Sequence, residues 1–307
     1  MGRSTRRRRF APFLVLLLVF AALASVGAAM PQVVGAVTID CAPPASPTAG
    51  AKAAATPAAA ASPAAFPAAG GKLTVFAAAS LTDMFNQIKS DLEAAHPGLS
   101  ITYNFAGSQT LVTQLSEGAP ADVFASASTA QMQAAIDKGV IASDPAVFTQ
   151  NRLAIVVPKD NPAGVTGMVD LAKDGLKFVL AQKEVPVGQY ARQSICLAGA
   201  DTATYGDGFV DKAGANVVSE EDNVKAVLLK VQTGEADAGI VYTTDITPNV
   251  APDVVQIEIP AAINVIAKYP VAQVKGGNTE LAQAFIDYVL GPDGQATLAK
   301  FGFEPKP

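Results

Sequence analysis

The 307-residue sequence predicts an α/β fold with two lobes, each containing a mainly parallel sheet flanked by helices. Three observations support this prediction. Strand and helix patterns alternate from Lys72 onward, the alternation falls into two successive runs, and no low-complexity segment separates the runs. Such alternation is typical of parallel sheets whose crossovers are helices. The length accommodates two lobes after an N-terminal segment is set aside.

The first run has a βαβαβ pattern. Residues 73–77 form a short apolar run, and the apolar residues between 81 and 92 recur at helical spacing. Residues 101–105 alternate as a strand, residues 111–115 supply the apolar face of a second helix, and residues 122–125 return as a strand. This order predicts a parallel sheet in the first lobe.

The second run and the C-terminal tail supply the remaining elements. They are predicted strands at 153–157, 178–181, 239–242, 254–259 and 264–269, and predicted helices after Gly188 and at 222–232, 279–290 and 292–300. We expect residues 72–151 and 245–307 to form the first lobe and residues 152–244 to form the second. The two chain crossings between the lobes would act as a hinge.

Residues 1–40 have the pattern of a signal peptide or a membrane anchor. Arg3 and four arginines at 6–9 precede residues 10–39, which carry no charge. A basic end before an apolar stretch fits a secretory signal, with small residues at 27–29 where a peptidase could cut. The stretch is also long enough to span a bilayer uncut. Both alternatives predict an exported protein, in the periplasm or at the outer face of the cytoplasmic membrane.

Residues 41–71 are predicted to form an Ala/Pro-rich tether, because they carry one basic residue, Lys52, and no periodic apolar face. Cys41 stands where lipoproteins carry an acylated cysteine, although Asp40 is unusual before such a site. Lipidation and an ordinary unpaired thiol stay open for Cys41. Cys196 then has no expected partner, so it is predicted to be a small buried residue, and no structural disulfide is expected.

Charge and residue counts exclude several classes of function. Removing the 6 basic and 1 acidic residues of positions 1–71 from the totals of 22 and 27 leaves a net charge of −10 on residues 72–307. Nucleic-acid-binding domains are typically basic, so this class is excluded. Catalysis by several histidines is excluded because the sequence contains one histidine, His96, in a Pro/Gly turn that predicts exposure.

Polar residues follow several predicted strands. Ligands of open α/β sheets bind at the carboxyl ends of the strands, so these residues are candidates for a binding site. They are Ser80, Gly107, Ser108, the segments 186–188 and 222–224, and Tyr242. A plainer interpretation makes Ser80 and Ser108 helix N-caps and Tyr242 a packed aromatic residue. Asp83 and Asp122 are interpreted as buried caps or loop braces, Asp222 as a helix cap, and Lys225 as a solvated side chain.

Seven short motifs occur in one order along residues 72–307. They are VFAAASLTD at 75–83, FAGSQTL at 105–111, GAPADVF at 118–124, VPVGQYA at 185–191, EDNVK at 221–225, GEADAGIVY at 234–242 and YPV at 269–271. Each motif alone is weak, but together they are specific. The chain resembles the periplasmic molybdate-binding proteins of bacterial ABC transporters.

The resemblance implies a two-lobed periplasmic-binding-protein fold of type II that closes on a tetrahedral oxyanion in the interlobe cleft. It implies that the hydroxyls and amides of Ser80 and Ser108 hold the anion from one lobe. The amides of Val187 and Val224 and the hydroxyl of Tyr242 would hold it from the other.

The resemblance also implies the ligand and the partners. The ligand would be molybdate, and also tungstate, with molybdenum bound as its oxyanion and no direct protein–metal ligand. No cofactor and no catalytic residue are expected. The implied partner is a membrane ABC permease, to which a monomeric receptor delivers the anion.

Two positions depart from the pattern of the family. Val187 stands where alanine is usual, which keeps the backbone amide but adds a β-branched side chain that could crowd the pocket. Gln109 stands where a further serine is common, which could alter the lining of the pocket without removing the main donor.

The predicted donors suit a fully deprotonated anion. Molybdate carries no proton at neutral pH and only accepts hydrogen bonds, so hydroxyls and helix-start amides suit it. Hydrogen phosphate would also need an acceptor, whereas sulfate has the same shape and charge and stays open as an alternative. An exported hydrolase is a weaker alternative. The segment around Ser108 lacks the first and last glycines of the nucleophile-elbow pattern, and His96 shows no sign of belonging to a catalytic triad.

Overall fold

The computed structural model describes residues 1–2, 37–41 and 66–307. The predicted signal or anchor at 1–40 lies outside the described residues except at 1–2 and 37–40, and the predicted tether lies outside them between 42 and 65. Among the residues that are described, no helix combines the length and the apolar content needed to cross a bilayer.

The described residues contain ten strands and nine α-helices. The strands are β1 (Gly71–Ala78), β2 (Leu99–Ala106), β3 (Val123–Ala125), β4 (Ala146–Asn151), β5 (Leu153–Pro158), β6 (Phe178–Ala181), β7 (Val217–Glu221), β8 (Ala238–Tyr242), β9 (Val254–Glu258) and β10 (Ala267–Gln273). The helices are α1 (Thr82–Ala95), α2 (Ser108–Ser116), α3 (Thr129–Asp137), α4 (Pro186–Ala200), α5 (Thr202–Tyr205), α6 (Phe209–Ala215), α7 (Val224–Gln232), α8 (Thr279–Leu290) and α9 (Pro292–Lys300). Short 3-10 segments occupy Ala79–Leu81, Met168–Ala172 and Thr243–Asp245.

The strands form two five-stranded sheets with equivalent topology. The strand orders are β2-β1-β3-β10-β4 in the first lobe and β7-β6-β8-β5-β9 in the second. In each sheet the fourth strand, β10 or β5, is antiparallel to both neighbours, whereas β1 and β6 pair in parallel with both of theirs. Four of five strands in each sheet therefore share one direction, and the predicted mainly parallel sheets are confirmed.

Helical periodicity predicted the buried face of α1 correctly. This helix buries Met84, Phe85, Ile88 and Leu92 against the first sheet's core, in which Leu73 and Val75 of β1 are also fully buried. Side chains spaced by three or four residues share one face of a helix, so their burial follows directly from the sequence pattern.

The chain crosses to the second lobe between Asn151 and Leu153 and returns between β9 and β10. Because β9 pairs with β5, residues 254–258 belong to the second lobe. The prediction that all residues after 244 belong to the first lobe is wrong in this respect. The strand itself was predicted, but its partner lies about 100 residues away in the sequence, and local periodicity does not reveal it. The strand predicted at 264–269 lies at Ala267–Gln273, and α3 and β4 had no sequence prediction.

Two asparagine side chains brace the crossings. Asn264, on the returning segment, donates to the carbonyl oxygen of Leu153 at 2.9 Å and accepts the Leu153 N–H at 3.0 Å. Asn151, at the outgoing crossing, accepts the N–H of Arg152 at 2.9 Å and donates to Oγ1 of Thr244 at 2.8 Å. These amides satisfy backbone groups where the regular sheet ladder ends.

Residues 37–41 pack on the second lobe and are covalently bonded to it. A disulfide joins Cys41 to Cys196 of α4, with 5.4 Å between the two Cα atoms. Ile39 is buried in the main hydrophobic core. The carbonyl oxygen of Val37 lies so close to Gly214 of α6 that a side chain at position 214 would collide with it.

The disulfide overturns the predictions made for the two cysteines. Cys41 is not an unpaired thiol, and its sulfur cannot carry a thioether-linked lipid while it is bonded to Cys196. Cys196 is partly exposed rather than a small buried residue. The expected absence of a structural disulfide was wrong because 155 residues separate the two cysteines, and no local spacing marks them as a pair.

The predicted tether also ends before residue 71. Phe66 is buried against His96, with 4.8 Å between the ring centroids, so His96 is half-buried rather than exposed. Gly70 has a φ of +68° and contacts the backbone of Gly98 so closely that a side chain at position 70 would not fit. Residues 66–71 are therefore part of the folded first lobe.

Removing the disulfide with Cys196→Ser should lower the free energy of unfolding by about 2–5 kcal/mol, because a crosslink across a long loop restricts the unfolded chain. Urea unfolding of the oxidised proteins measures the difference. Wild-type protein in reductant should unfold like the variant. Equal stability of oxidised wild type and variant would contradict a stabilising role for this bond.

Candidate ligand-binding site

All five residues predicted to bind the ligand line one small cavity between the lobes. Ser80 and Ser108 line it from the first lobe, and Val187, Val224 and Tyr242 line it from the second. The other lining residues are uncharged: Ala78, Ala79, Ala106, Gly107, Ala127, Val185, Pro186 and Asn223. Of the described residues around this cavity, none therefore brings a formal charge to its wall.

The two serines do not cap helices. Gly107 precedes α2, Leu81 precedes α1, and neither helix has a side-chain bond at its cap. Ser108 Oγ instead accepts the N–H of Ala127 at 3.1 Å. Because a backbone N–H can only donate, the Ser108 hydroxyl keeps its own proton for a partner in the cavity.

Val187 and Val224 place helix-start amides at the cavity. Val187 is the second residue of α4 and Val224 the first residue of α7. The first N–H groups of a helix have no acceptor within it and carry partial positive charge. Pro186 favours the start of α4. Asn223 caps α7 by accepting the N–H of Ala226 at 3.0 Å, so the prediction of Asp222 as the cap was wrong.

Tyr242 ends β8 with its side chain 1% exposed. Within the described part of the chain, no protein atom lies in hydrogen-bond geometry with its hydroxyl. Burial raises the pKa of Tyr242 well above its ordinary value, and the neighbouring Tyr269 adds to the rise. The hydroxyl therefore stays protonated at physiological pH, as a donor available to the cavity.

Charged groups around the cavity are paired with one another. Lys225 Nζ lies 2.9 Å from Oδ2 of Asp83 and 3.4 Å from Oδ1 of Asp245. Asp83 belongs to α1 of the first lobe and Lys225 to α7 of the second, so this ion pair joins the lobes. The predictions of a solvated Lys225 and of Asp83 as a buried cap or loop brace were wrong. Asp122 is a loop brace as predicted, since it accepts the N–H groups of Thr74 and Asn278.

Asp245 fixes the backbone at the end of β8. It is fully buried and accepts the N–H of Tyr242 at 3.1 Å. Burial raises the pKa of Asp245, and Lys225 opposes this rise. Burial lowers the pKa of Lys225, but Asp245 and Asp83 raise it, and the net shift is upward. Lys225 is therefore charged at neutral pH and compensates the buried carboxyl group.

The two glutamines that face the second lobe form hydrogen bonds across the cleft. Gln109 Nε2 donates to the carbonyl oxygen of Asp222, and Gln131 Nε2 donates to that of Glu184, both at 2.8 Å. Gln109 is not among the residues that line the cavity, so its departure from the family pattern affects the contact between lobes. The Val187 side chain belongs to the hydrophobic core, although the residue borders the cavity.

Two residues beside the site were not predicted from the sequence. Tyr269 and Asn151 are both fully buried. The Tyr269 hydroxyl lies 3.0 Å from Ser80 Oγ and 3.4 Å from Asn151 Nδ2. The one sequence signal was the position of Tyr269 in the YPV motif, since these contacts join residues more than 100 positions apart.

Comparison with known proteins identifies the family. The family model of the bacterial extracellular solute-binding proteins matches residues 73–304 of the sequence. The chain belongs to this family. A molybdate-binding protein from Mycobacterium tuberculosis is 39% identical over 232 residues, which are 75% of this chain and 84% of that protein. A molybdate-binding protein from Escherichia coli is 33% identical over 243 residues, which are 77% of this chain and 90% of that protein.

Solved structures show the same fold. The periplasmic molybdate-binding protein of Azotobacter vinelandii matches with a TM-score of 0.64 and 18% identity, over 76% of this chain and all of that chain. A sulfate-binding protein from Mycobacterium tuberculosis matches with a TM-score of 0.68 and 16% identity, over 76% of this chain and 86% of that chain. The predicted two-lobed periplasmic-binding-protein fold is confirmed. Because both binders share it, the fold alone does not identify the anion.

Lys225→Met should lower the free energy of unfolding by about 2–4 kcal/mol, because it leaves the Asp245 carboxylate buried without a countercharge. Urea unfolding at pH 7 measures this loss. Lys230→Met is a matched control on the same helix, because neither of its partners, Glu221 and Glu235, is fully buried as Asp245 is, and it should cost less than about 1 kcal/mol. Equal losses in the two variants would show that the Lys225 pairs contribute no more than surface pairs.

Proposed function

We propose that the chain is the solute-binding component of an ABC transporter and that it captures molybdate, and also tungstate, outside the cytoplasm. The observation that carries the proposal is the buried hydroxyl of Tyr242, to which the described residues offer no hydrogen bond, in a cavity whose other polar groups include hydroxyl and amide donors. Leaving such a hydroxyl without a partner costs free energy, which an anion oxygen would offset. The names of the M. tuberculosis and E. coli relatives support the same ligand.

The proposed ligand contacts are the hydroxyls of Ser80, Ser108 and Tyr242 and the amides of Val187 and Val224. Neutral donors from two lobes can replace the hydration shell of a dianion without bringing a full countercharge into the cavity. The helix starts of α4 and α7 add partial positive charge. Molybdenum is bound in this proposal as its oxyanion, without a direct protein–metal bond.

The chemistry of the donors separates classes of anion. A protonated oxyanion such as hydrogen phosphate needs an acceptor, and none of the five proposed contacts offers a carboxylate. Sulfate has the same charge and shape as molybdate, so discrimination between them depends on the size of the closed cavity. Molybdate and tungstate have longer bonds to oxygen than sulfate and would reach donors that a smaller anion leaves unpaired.

Binding without catalysis is part of the proposal. A serine hydrolase needs a general base within hydrogen-bond reach of its nucleophile. His96 instead contacts Phe66, and no carboxylate or imidazole lines the cavity beside Ser108. The receptor would therefore act without a cofactor and make or break no bond. It would work as a monomer that presents both lobes to a membrane permease.

An exported location accords with the covalent structure. Disulfides form and persist in oxidising compartments, and the Cys41–Cys196 bond needs such an environment. We therefore place the protein in the periplasm or at the outer face of the cytoplasmic membrane.

Calorimetric titration of the oxidised, anion-free protein with molybdate, tungstate, sulfate and phosphate at equal ionic strength tests the ligand. We expect tight binding of the first two and much weaker binding of the others. Molybdate affinity should be constant from pH 6 to pH 9, because the raised pKa of Tyr242 keeps this donor protonated throughout. Sulfate binding as tight as molybdate binding would contradict the proposed specificity.

Tyr242→Phe should weaken molybdate binding by about 1–3 kcal/mol, since one oxygen of the anion would lose its donor. Tyr103→Phe is a matched control, because the Tyr103 hydroxyl is also buried without a partner but does not line the cavity. The control should bind molybdate like wild type. Similar affinity losses in both variants would indicate a general effect on the fold and would argue against Tyr242 as a ligand.

A further inference from the structure

Tyr269, whose hydroxyl contacts Ser80, belongs to a series of buried hydrogen bonds. Tyr269 is fully buried in β10, and the described residues offer its hydroxyl two hydrogen-bond partners, Ser80 Oγ at 3.0 Å and Asn151 Nδ2 at 3.4 Å. Asn151 is also fully buried and continues the chain to Thr243 and Thr244, which follow β8 of the second lobe.

The orientation of the Asn151 amide is fixed by its neighbours. The backbone N–H of Arg152 points at one terminal atom at 2.9 Å, and because an N–H can only donate, that atom must be the oxygen. Thr243 Oγ1 donates to the same oxygen at 3.1 Å. The NH₂ end therefore faces Thr244 Oγ1 at 2.8 Å and the Tyr269 hydroxyl at 3.4 Å.

This orientation determines the direction of the next hydrogen bond. Tyr269 accepts from Asn151, so its own proton needs an acceptor, and Ser80 Oγ is the acceptor within reach. The reverse arrangement, with Ser80 donating to Tyr269, would leave the Tyr269 proton only the neighbouring Tyr242 hydroxyl, which does not meet the hydrogen-bond geometry that Ser80 offers. Ser80 therefore accepts from Tyr269 and directs its own proton elsewhere, and the side chain lines the cavity.

We propose that Asn151 and Tyr269 are positioning residues that fix Ser80 as a hydrogen-bond donor toward the bound anion, and so select oxyanions that carry no proton. The inference deepens the proposed function and rests on it. Ser108 is also left as a donor toward the cavity, because its oxygen accepts the backbone N–H of Ala127. Substitution of a side chain does not remove this N–H. The direction in which the Ser80 hydroxyl donates depends on the side chains of Asn151 and Tyr269, so mutation can reverse it.

The hydrogen bonds from Asn151 to Tyr269 and from Tyr269 to Ser80 are called the relay below. Asn151→Asp should reverse the direction of donation in this relay. The introduced carboxylate only accepts, so Tyr269 would donate to it and Ser80 would donate to Tyr269. Ser80 would then present lone pairs to the cavity, which oppose molybdate and suit the proton of hydrogen phosphate. At pH 8 both anions carry two negative charges, so the added carboxylate disfavours both electrostatically. The ratio of the two dissociation constants therefore isolates the change in hydrogen-bond polarity.

The matched control is the double variant Asn151→Asp/Tyr269→Phe, which keeps the added charge but breaks the relay. By calorimetry, we expect the ratio of the molybdate to the phosphate dissociation constant to rise about tenfold or more in Asn151→Asp relative to the double variant. Thermal unfolding of each variant verifies that it is folded. Equal ratios in the single and double variants would overturn the relay.

A second measurement does not depend on the ligand. In the anion-free wild-type protein, the Tyr269 hydroxyl proton should give a nuclear Overhauser effect to the β protons of Ser80, and this effect should disappear in Asn151→Asp. Its presence together with an absence of molybdate binding would refute the proposed function but leave the relay intact. A wild-type hydroxyl proton directed away from Ser80 would refute the relay whatever the protein binds.

Discussion

The proposed site depends on one constraint, which is that a dehydrated dianion would have to be held by neutral donors. Burying charge is costly unless directed hydrogen bonds replace the lost water. Only strand ends and helix starts supply enough free N–H and O–H groups at one point, and the two sheets deliver them from opposite sides. The same requirement explains why each cavity serine is bonded so that its oxygen accepts from the protein. The surrounding structure therefore maintains the direction of the hydrogen bonds at the site rather than a formal charge.

Formal charges serve a different purpose in this protein. Lys225 stands next to a proposed ligand residue in the sequence, yet its ammonium group pairs with Asp83 of the opposite lobe and with the buried Asp245. Together with Gln109 and Gln131, it supplies contacts that exist only while the lobes are together. In the proposed receptor, such contacts would shift the equilibrium between open and closed lobes and so affect the apparent affinity without touching the ligand. Ligand contacts and closure contacts are thus carried by separate side chains.

Local sequence patterns predicted what depends on neighbouring residues. The buried face of α1, the alternation of β2 and the presence of helices α4 and α7 follow from spacing within a few residues, although the predicted starts of these two helices differ from the observed ones by about two or three residues. The assignment of β9 to the second lobe and the Cys41–Cys196 bond depend on pairs that are distant in the sequence, and periodicity carries no information about them. The contact of Tyr269 with Ser80 likewise joins residues that are 189 positions apart, so periodicity does not reveal it. The family motifs indicated the lining of the cavity but not the side chains that orient it.

The disulfide also changes where the folded body is attached to the rest of its chain. In sequence order the fold starts in the first lobe, near Phe66, but the covalent bond anchors residue 41 on α4 of the second lobe. Everything before residue 37 is therefore connected to the second lobe by a few residues. Reduction would remove the covalent part of this attachment and leave the packing of residues 37–41, including the buried Ile39, to hold it. The anchoring of the N-terminal segment on the second lobe is thus covalent only in an oxidising compartment.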